Sequence, residues 1–329
     1  MFSQCESLKN KMRHKNKVLL LGGIITDHYF EVENYPGLGQ DTLILNSFDK
    51  IGGCAINVAV TLNNLGSIPY IVSKLGDDQV GKKIWQYMQS LDLPTDCIVV
   101  IPGKNSGYCL TIIDRNGERT FFTYNGCEKE FSIKMLPAEL LREISFVYIS
   151  GYYLLNDLST SMILEFLEGL RQNKCQILFD PGPLVGKIDP FQLLKMIGLS
   201  TWIVPNLSEL AMIKLSLGIE ADPVEWLLNQ GCQYVVVKKG DQGVDFYSSG
   251  ANLSLKSFRV KAIDSTGAGD SFAGGLIHAL SNGENPTQAL ELAIACGAYM
   301  ATIEGPHAIF TSGVKPFCCI TQGLNLMIR

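Results

Sequence analysis

Residues 263–275 read IDSTGAGDSFAGG and place three small residues directly before a carboxylate. Gly267, Ala268 and Gly269 let the backbone approach a ligand closely. The apolar continuation predicts a helix that begins near Asp270, and its first amides, at the positive end of the helix dipole, would point at the same ligand. The stretch therefore predicts an anion site beside a candidate base, although an ordinary tight turn would use the same residues.

Outward from this stretch, short and nearly continuous apolar runs alternate with longer helical patterns. The runs predict strands that helices cover on both faces, and they span residues 17–23, 69–76, 145–151, 175–182, 201–206 and 233–240. The patterns predict helices over residues 54–66, 80–91, 158–173 and 222–231. This alternation predicts an α/β fold with a doubly wound, mostly parallel sheet flanked by helices. Ligands of such sheets bind beyond the carboxyl ends of the strands.

Two regions break the alternation and predict antiparallel hairpins. They are residues 28–53 and residues 107–126, and the second region turns at Asn116 and Gly117. Neither is long enough to bury a core of its own, so we expect a small lid of β-strands within 28–50 and 107–126.

The lid also bears on assembly and on domain boundaries. Residues 42–48, TLILNSF, would leave an apolar strand edge exposed, so a homodimer through the lid strands is a hypothesis. We expect an N-terminal tail over residues 1–16, one domain over 17–312 and a C-terminal tail over 313–329.

The composition excludes several classes of protein. The chain has 329 residues, 47% of them hydrophobic, and a net charge of -5, with basic residues clustered in residues 9–17, so nucleic acid is not expected as a partner. Ten scattered cysteines and four histidines indicate neither a disulfide scaffold nor a zinc site. No run approaches the roughly 18 apolar residues of a membrane helix, and residues 18–25 lack a signal-peptide cleavage pattern. We expect a cytoplasmic protein without a membrane partner.

The residues DSTGAGDSFAGG closely resemble the second signature of the ribokinase-like, PfkB-type carbohydrate kinases. Five further segments resemble that family in its own order: GGIITD (22–27), GGCAINVAVTLNNLG (52–66), KLGDDQVGKKI (74–84), PNLSE (205–209) and VVVKKGDQG (235–243). Ordered matches over roughly residues 17–310 are far more specific than one short motif. The resemblance implies a ribokinase-like fold and an enzyme that transfers the γ-phosphate of ATP to a sugar hydroxyl.

The resemblance implies a role for each residue of the opening stretch. Asp270 is expected to be the general base that takes the proton of the attacking hydroxyl. The amides of Gly267, Ala268 and Gly269 are expected to form an anion hole, which stabilises charge on the transferring phosphoryl group.

Four residues match the substrate-facing positions of the family: Asp27, Gly52, Gly53 and Asn57. Asp27 can accept hydrogen bonds, and Asn57 can both donate and accept them, which suits a polyol. The alternatives are a strand-end cap for Asp27 and an ordinary polar helix residue for Asn57.

The nucleotide side is expected to use Asn206, Lys238, Gly240 and Gly243. Glu209 is expected to hold Mg²⁺ through water, or to serve only as a first-turn helix carboxylate. At the position of Lys238 many family members carry threonine.

A third group of residues concerns a monovalent cation. Asp264 and Gly305 match positions that hold such a cation in some relatives, and Ile303 stands where ribokinase has an arginine that contributes a carbonyl. A carbonyl can come from any residue, so K⁺ stays open beside ATP and Mg²⁺.

The sequence departs from sugar-specific relatives in residues 179–186, FDPGPLVG, which lack the arginine of an Asp-x-Asn-x-Arg pattern. This absence argues against a ketodeoxygluconate or fructose kinase. The lid residues Phe121, Phe122 and Tyr124 could stack on a nucleoside base as well as cover a sugar. A nucleoside kinase, and a sensor of the same fold that binds nucleotide or sugar without turnover, are the alternatives.

Overall fold

The computed structural model describes residues 17–308. The predicted tails and residues 309–312 lie outside the described residues, so the domain boundaries stay predictions. Within the described part, the main sheet has the strand order β13-β12-β11-β10-β9-β8-β1-β4-β5. Its strands are β1 (Lys17–Leu21), β4 (Ile68–Gly76), β5 (Ile98–Ile101), β8 (Ile144–Ser150), β9 (Gln176–Asp180), β10 (Trp202–Ile203), β11 (Tyr234–Lys238), β12 (Val244–Ser248) and β13 (Asn252–Leu255).

Neighbouring strands from β5 to β11 pair in parallel, whereas β12 and β13 pair antiparallel at one edge. The six strands that the apolar runs predict are all present, and so is the predicted mostly parallel sheet. β5, β12 and β13 were not predicted. β5 and β13 are the edge strands and β12 lies next to β13, and burial and the apolar pattern are weaker there.

The helices cover both faces of this sheet, as the alternation predicts. They are α1 (Cys54–Leu65), α2 (Gln79–Ser90), α3 (Ala138–Leu141), α4 (Asp157–Gln172), α5 (Pro190–Leu199), α6 (Leu207–Ser216), α7 (Pro223–Asn229), α8 (Ala268–Ser281) and α9 (Pro286–Met300). Short 3₁₀ turns lie at Cys127–Lys129, Ile133–Met135, Gly151–Leu154, Val185–Lys187 and Gly240–Gln242. None of the helices in residues 17–308 is both long and apolar enough to cross a membrane.

Side chains of β1 alternate between two separate cores. Val18 and Leu20 pack with the face that α1, α8 and α9 cover, whereas Leu19 and Leu21 pack with the face that α4 and α5 cover. This alternation is the direct result of the two-residue period of a strand. A strand that is buried on both sides needs a continuous apolar run, which is why VLLL (18–21) predicts it.

Several helices begin where the sequence has an acidic or amide side chain followed by proline. Asp189, Asp222 and Asn285 each accept a hydrogen bond from a backbone amide of the first turn, and the next residue is proline in all three cases. The side chain satisfies an amide that the helix leaves unpaired, and proline at the first position has no amide to satisfy.

The lid is a separate sheet of four strands within the described residues, in the order β3-β2-β6-β7. Its strands are β2 (Ile25–Val32), β3 (Ile44–Gly52), β6 (Tyr108–Ile113) and β7 (Arg119–Tyr124). β2 pairs antiparallel with β3, and β6 pairs antiparallel with β7. Both predicted hairpins are therefore present, and the parallel pairing of β2 with β6 joins them.

Candidate active site

Residues 264–269, which lead into the first turn of α8, are here called the anion loop. Gly267 caps α8 with a φ of 73°, and a Cβ at this position would lie 1.8 Å from the carbonyl oxygen of Pro306. Glycine is required by both the left-handed backbone and this close approach. The amide of Ala268 donates to the carbonyl of Ser265, 3.2 Å away. The amide of Ala268, which we predict to be part of the anion hole, therefore also stabilises the turn.

Asp270, in the first turn of α8, contacts α1, which Gly53 caps. Asn57 Nδ2 donates to Asp270 Oδ2 over 2.7 Å, and the thiol of Cys54 hydrogen-bonds the same carboxyl group. Burial raises the pKa of Asp270 to about 6, although the bond from Asn57 opposes the shift. A carboxylate with this pKa is ionised at neutral pH and is a stronger base than an exposed aspartate.

Asp27 lies on lid strand β2 against Gly52 of β3. A Cβ at Gly52 would lie 2.1 Å from Asp27 Oδ2, so the glycine leaves space for the carboxyl group. Burial raises the pKa of Asp27 to about 7, His28 opposes the shift, and the charge of Asp270 adds to it. The charge of Asp270 thus acts on the predicted substrate residue Asp27, so the two carboxyl groups lie close enough for their charges to interact.

Lys238, at the end of β11, forms a buried ion pair with Asp180 at the end of β9, with Nζ 3.0 Å from Oδ1. Burial acts to lower the pKa of Lys238, but Asp180 and Glu209 outweigh it and the pKa is raised. A Cβ at Gly269 would lie 3.6 Å from this ammonium group. Lys238 therefore places a fixed positive charge beside the anion loop.

Asn206 and Glu209 form a capping box at the start of α6. Asn206 Oδ1 accepts from the amide of Glu209, and Glu209 Oε2 accepts from the amide of Asn206, both over 2.8 Å. Burial raises the pKa of Glu209, and the charge of Lys238 opposes that shift. Glu209 is therefore a first-turn helix carboxylate, the alternative that the sequence left open, and it also lies within the influence of Lys238.

The donor set of the described residues limits how a metal ion can bind. In residues 17–308 no three His, Cys, Asp or Glu side chains lie close enough to hold a metal by themselves. Glu209 is one of two buried carboxylates beside Lys238, and Asp180 is the other. Such a group fits Mg²⁺ that takes most of its ligands from phosphates and water.

The predicted nucleotide loop after β11 is a 3₁₀ turn over Gly240–Gln242. Gly240 and Gly243 have φ values of 61° and 96°. A Cβ at Gly243 would lie 2.0 Å from the carbonyl oxygen of Leu255. These glycines turn the chain from β11 into β12, and their role toward a nucleotide stays a prediction.

Asp264 is buried at the start of the anion loop, and both of its carboxylate oxygens have donors. Oδ1 lies 2.5 Å from Arg119 Nη1 and 2.8 Å from the amide of Thr266, and Oδ2 accepts from the amide of Gly305 over 3.0 Å. Burial acts to raise the pKa of Asp264, but these donors outweigh it and lower the pKa. A guanidinium group already neutralises this carboxylate, which argues against the predicted role of ligand to a monovalent cation, and that role stays a prediction.

The comparison with known families agrees with this arrangement. A model of the pfkB family carbohydrate kinases matches residues 15–311. The chain belongs to this family. The kinase is 24% identical over 310 residues to the uncharacterized sugar kinase YegV of Escherichia coli, covering 92% of this chain and 94% of that one. It is 24% identical to fructokinase-1 of Oryza sativa, covering 77% and 83%. The kinase is a phosphotransferase with an alcohol group as acceptor.

Solved structures confirm the ribokinase-like fold of this kinase. The ribokinase of Thermotoga maritima has a TM-score of 0.79 at 20% identity, covering 95% of this chain and 99% of that one. The nucleoside kinase of Methanocaldococcus jannaschii also has a TM-score of 0.79 at 20% identity, covering 94% and 98%. An E. coli neighbour in complex with ATP and Mg²⁺ has a TM-score of 0.78 at 22% identity, covering 95% and 99%.

Three residues that the structure places at the candidate site were not assigned to it from the sequence. Asp180 lies near the end of a predicted strand, residues 175–182, and a carboxylate at the carboxyl end of a strand is a signal that could have found it. Arg119 lies within the predicted lid, but no contact outside the lid was predicted for it. His307, which contacts Asn57, belongs to none of the matched segments, and nothing in the sequence indicates its role.

Proposed function

We propose that this kinase transfers the γ-phosphate of ATP to a hydroxyl group of a sugar or nucleoside, with Asp270 as general base. The observation that carries the proposal is the position of Asp270, half-buried at the start of α8, held by Asn57 and next to Asp27. Asp270 would take the hydroxyl proton while the oxygen attacks the γ-phosphorus. The bond to the bridging oxygen of ADP breaks, and a phosphate ester and ADP are released.

The transferring phosphoryl group would lie against the first turn of α8. Backbone amides of Gly267, Ala268 and Gly269 and the helix dipole favour an anion there. Lys238 supports this placement, since its ammonium group lies beside Gly269. A fixed cation in a buried site stabilises developing negative charge more than the same cation in water.

ATP and Mg²⁺ fit the residues on the nucleotide side. An E. coli neighbour is in complex with both, and Asn206, Glu209, Gly240 and Gly243 would lie along the nucleotide phosphates. When bound, Mg²⁺ would neutralise part of the charge of the nucleotide phosphates. Glu209 would orient it through water, because one of its oxygens is engaged by the amide of Asn206.

The acceptor is proposed to be a neutral sugar, with a nucleoside as the second candidate. Asp27 and Asn57 supply acceptors and a donor for a polyol. The observation in favour of a nucleoside is the exposure of aromatic side chains in the lid. Phe121 and Tyr124 are 57% and 44% exposed, and Tyr124 stacks on Tyr108 with ring centroids 5.0 Å apart. A sensor that binds without turnover has no need of a base such as Asp270.

We also propose a cytoplasmic location and a homodimer through the lid. Seven of the cysteines lie in the described residues and all seven are free thiols, which fits a reducing compartment. The edge strand β3 of the lid exposes Ile44 and Leu45 by 56% and 59%. An exposed apolar edge of this kind favours pairing with a second copy.

The decisive experiment measures ADP release with Mg·ATP over a panel of pentoses, hexoses, ketoaldonates and nucleosides. Asp270→Asn should reduce turnover about 100- to 10,000-fold. Asp92→Asn, an exposed carboxylate in the turn after α2, is the matched control and should leave turnover unchanged. Full turnover in Asp270→Asn would reject the assigned base. ATP binding without turnover of any acceptor would favour the sensor.

A further inference from the structure

A chain of three hydrogen bonds leads from Asp270 away from the anion loop. Asn57 Nδ2 donates to Asp270, and Asn57 Oδ1 lies 2.9 Å from His307 Nδ1. His307 Nε2 in turn hydrogen-bonds the hydroxyl of Tyr87 on α2. Asn57 lies on α1, Tyr87 on α2, Asp270 on α8 and His307 in the segment after α9. Together they link elements that are far apart in the sequence.

The chemistry of these groups sets the direction of every hydrogen bond. An ionised carboxylate only accepts, so Asn57 must turn its NH₂ group toward Asp270 and its oxygen toward His307. That oxygen accepts, so His307 must carry its proton on Nδ1. His307 Nε2 is then an acceptor, and the hydroxyl of Tyr87 donates to it.

The surroundings of His307 keep its ring neutral, as the stated direction of the hydrogen bonds requires. Burial lowers the pKa of His307 to about 4, and the charge of Lys50 adds to the effect. Lys50 itself pairs with Glu304, with Nζ 3.5 Å from Oε1. A protonated ring would turn a second N–H toward the hydroxyl of Tyr87, which would then have to act as acceptor.

We propose that His307 is a positioning residue of this kinase, whose neutral, Nδ1-protonated imidazole fixes the Asn57 amide so that it donates to Asp270. This inference deepens the proposed function, and its kinetic consequence rests on that function. Without His307 the oxygen of the Asn57 amide loses its donor, and the amide is held only by its bond to Asp270. An amide held at one end can shift, and this shift would displace the base from the hydroxyl that it must deprotonate.

The first test is structural and needs no substrate. Nitrogen NMR of the full-length protein labelled with ¹⁵N-histidine reports the tautomer and pKa of each ring, and the His307→Asn variant identifies the signals of His307. We expect an Nδ1-protonated ring that stays neutral down to about pH 5, since its pKa is about 4. An Nε2-protonated ring, or titration near the ordinary histidine pKa of about 6.5, would overturn the proposal.

The second test is kinetic and compares two variants with the acceptor that supports turnover. In His307→Asn the amide nitrogen lies two bonds from Cβ, as Nδ1 does, so a donor to Asn57 is kept, whereas His307→Leu has no donor. We expect His307→Leu to lower kcat about 10- to 100-fold with little change in the KM for the acceptor. We expect His307→Asn to recover most of this loss. Melting temperatures of both variants control for folding.

The pH profile separates positioning from mere packing. The bond from Asn57 lowers the pKa of Asp270, so its loss in His307→Leu should move the acid limb of kcat to higher pH, and His307→Asn should restore it. The other groups that act on Asp270 are the same in both variants: Cys54, Lys238, Asp180 and Asp27.

Two kinetic outcomes would overturn the proposal. One is a kcat in His307→Leu equal to that of the parent, and the other is an equal loss in both variants with no movement of the acid limb. If Asp270→Asn retained turnover, the proposed function would fail. The NMR result would still decide whether the hydrogen bonds from Tyr87 to Asp270 run in the stated direction.

Discussion

Arg119 of the lid and Asp264 of the anion loop form an ion pair, with Nη1 and Oδ1 2.5 Å apart. The same guanidinium group donates to the hydroxyl of Thr266. The aspartate side chain is 3% exposed and that of Arg119 is 24% exposed. A lid strand is thereby tied to the loop that we expect to hold the transferring phosphoryl group, and a protein cation neutralises the loop carboxylate.

We therefore predict that turnover of the parent enzyme is the same in potassium chloride and in tetramethylammonium chloride. Arg119→Gln leaves Asp264 buried without its cation, so the variant should lose about 1–3 kcal/mol of stability and gain turnover when K⁺ or guanidinium is added. Arg115→Gln is the control, because Arg115 pairs with Glu33 in the lid and is 64% exposed. Strong activation of the parent by K⁺ would contradict the prediction.

The rate should depend on pH through Asp270. A general base acts only when it is deprotonated, and burial raises the pKa of Asp270 to about 6. We expect kcat to be constant above about pH 7 and to fall tenfold per pH unit well below pH 6. A pH series of ADP release at saturating substrate measures this limb, and a limb near pH 4 would mean that another group is the base.

Stability should depend on pH through Asp27 with a defined sign. Because its pKa is raised from 3.8 to about 7 by burial, its carboxyl group binds a proton more tightly in the folded chain. Its contribution to stability is full below about pH 4 and is lost as the pH rises through 7. Asp27→Asn should therefore be more stable than the parent at pH 8, by about 1–3 kcal/mol, and equal to it near pH 4.

The control for that measurement is Asp49→Asn in thermal melts at both pH values. Burial acts to raise the pKa of Asp49, but its bonds to His28 and Lys83 outweigh burial and lower the pKa. Removing this carboxylate should leave stability at pH 8 unchanged or lower. A gain in Asp49→Asn as large as that in Asp27→Asn would point to a general charge effect.

Lys238 should be required for both stability and turnover, and a double variant separates the two. Lys238→Met leaves the carboxylates of Asp180 and Glu209, which are 7% and 5% exposed, without a cation, so we expect a loss of about 3–5 kcal/mol. Adding Asp180→Asn should restore much of the stability but not the turnover. Denaturant unfolding and ADP release measure the two effects.

Lys239→Met provides the comparison for Lys238. Lys239 pairs with Asp245, with Nζ 2.7 Å from Oδ1, and both side chains are more than one fifth exposed. Its loss should change stability by less than about 1 kcal/mol. Normal turnover in the Lys238→Met, Asp180→Asn double variant would remove Lys238 from the phosphate site.

If the lid edge strands of two copies pair, the parent protein is a dimer. A charged side chain on that edge should then disrupt the dimer. Leu45→Lys, on the exposed edge strand β3, should convert the parent dimer into a monomer in light scattering at micromolar concentration. Phe191→Lys is the control, because Phe191 is 75% exposed on α5, outside the lid. A monomeric parent, or a Leu45→Lys variant that stays dimeric, would contradict the lid pairing.

Local residues determined the parts of the fold that a short segment can encode. VLLL (18–21) predicts a strand buried on both faces because all four residues are apolar, and Asn116 with Gly117 predicts the lid turn. Strands β12 and β13 were not predicted, because β13 is an edge strand, β12 lies next to it, and neither is a continuous apolar run. The anion loop was identified because glycine at Gly267 is a local requirement of the backbone.

The partners of the site residues depended on the tertiary structure. The sequence placed Asp270 and Asn57 in separate helices, but packing of α1 against α8 brought them to 2.7 Å. The raised pKa values of Asp27 and Asp270 have burial as their largest cause, and burial is a property of the assembled fold. No local sequence pattern indicates the pairing of Arg119 with Asp264, 145 residues apart, or the contact of His307 with Asn57. Each of these contacts requires two distant segments to meet.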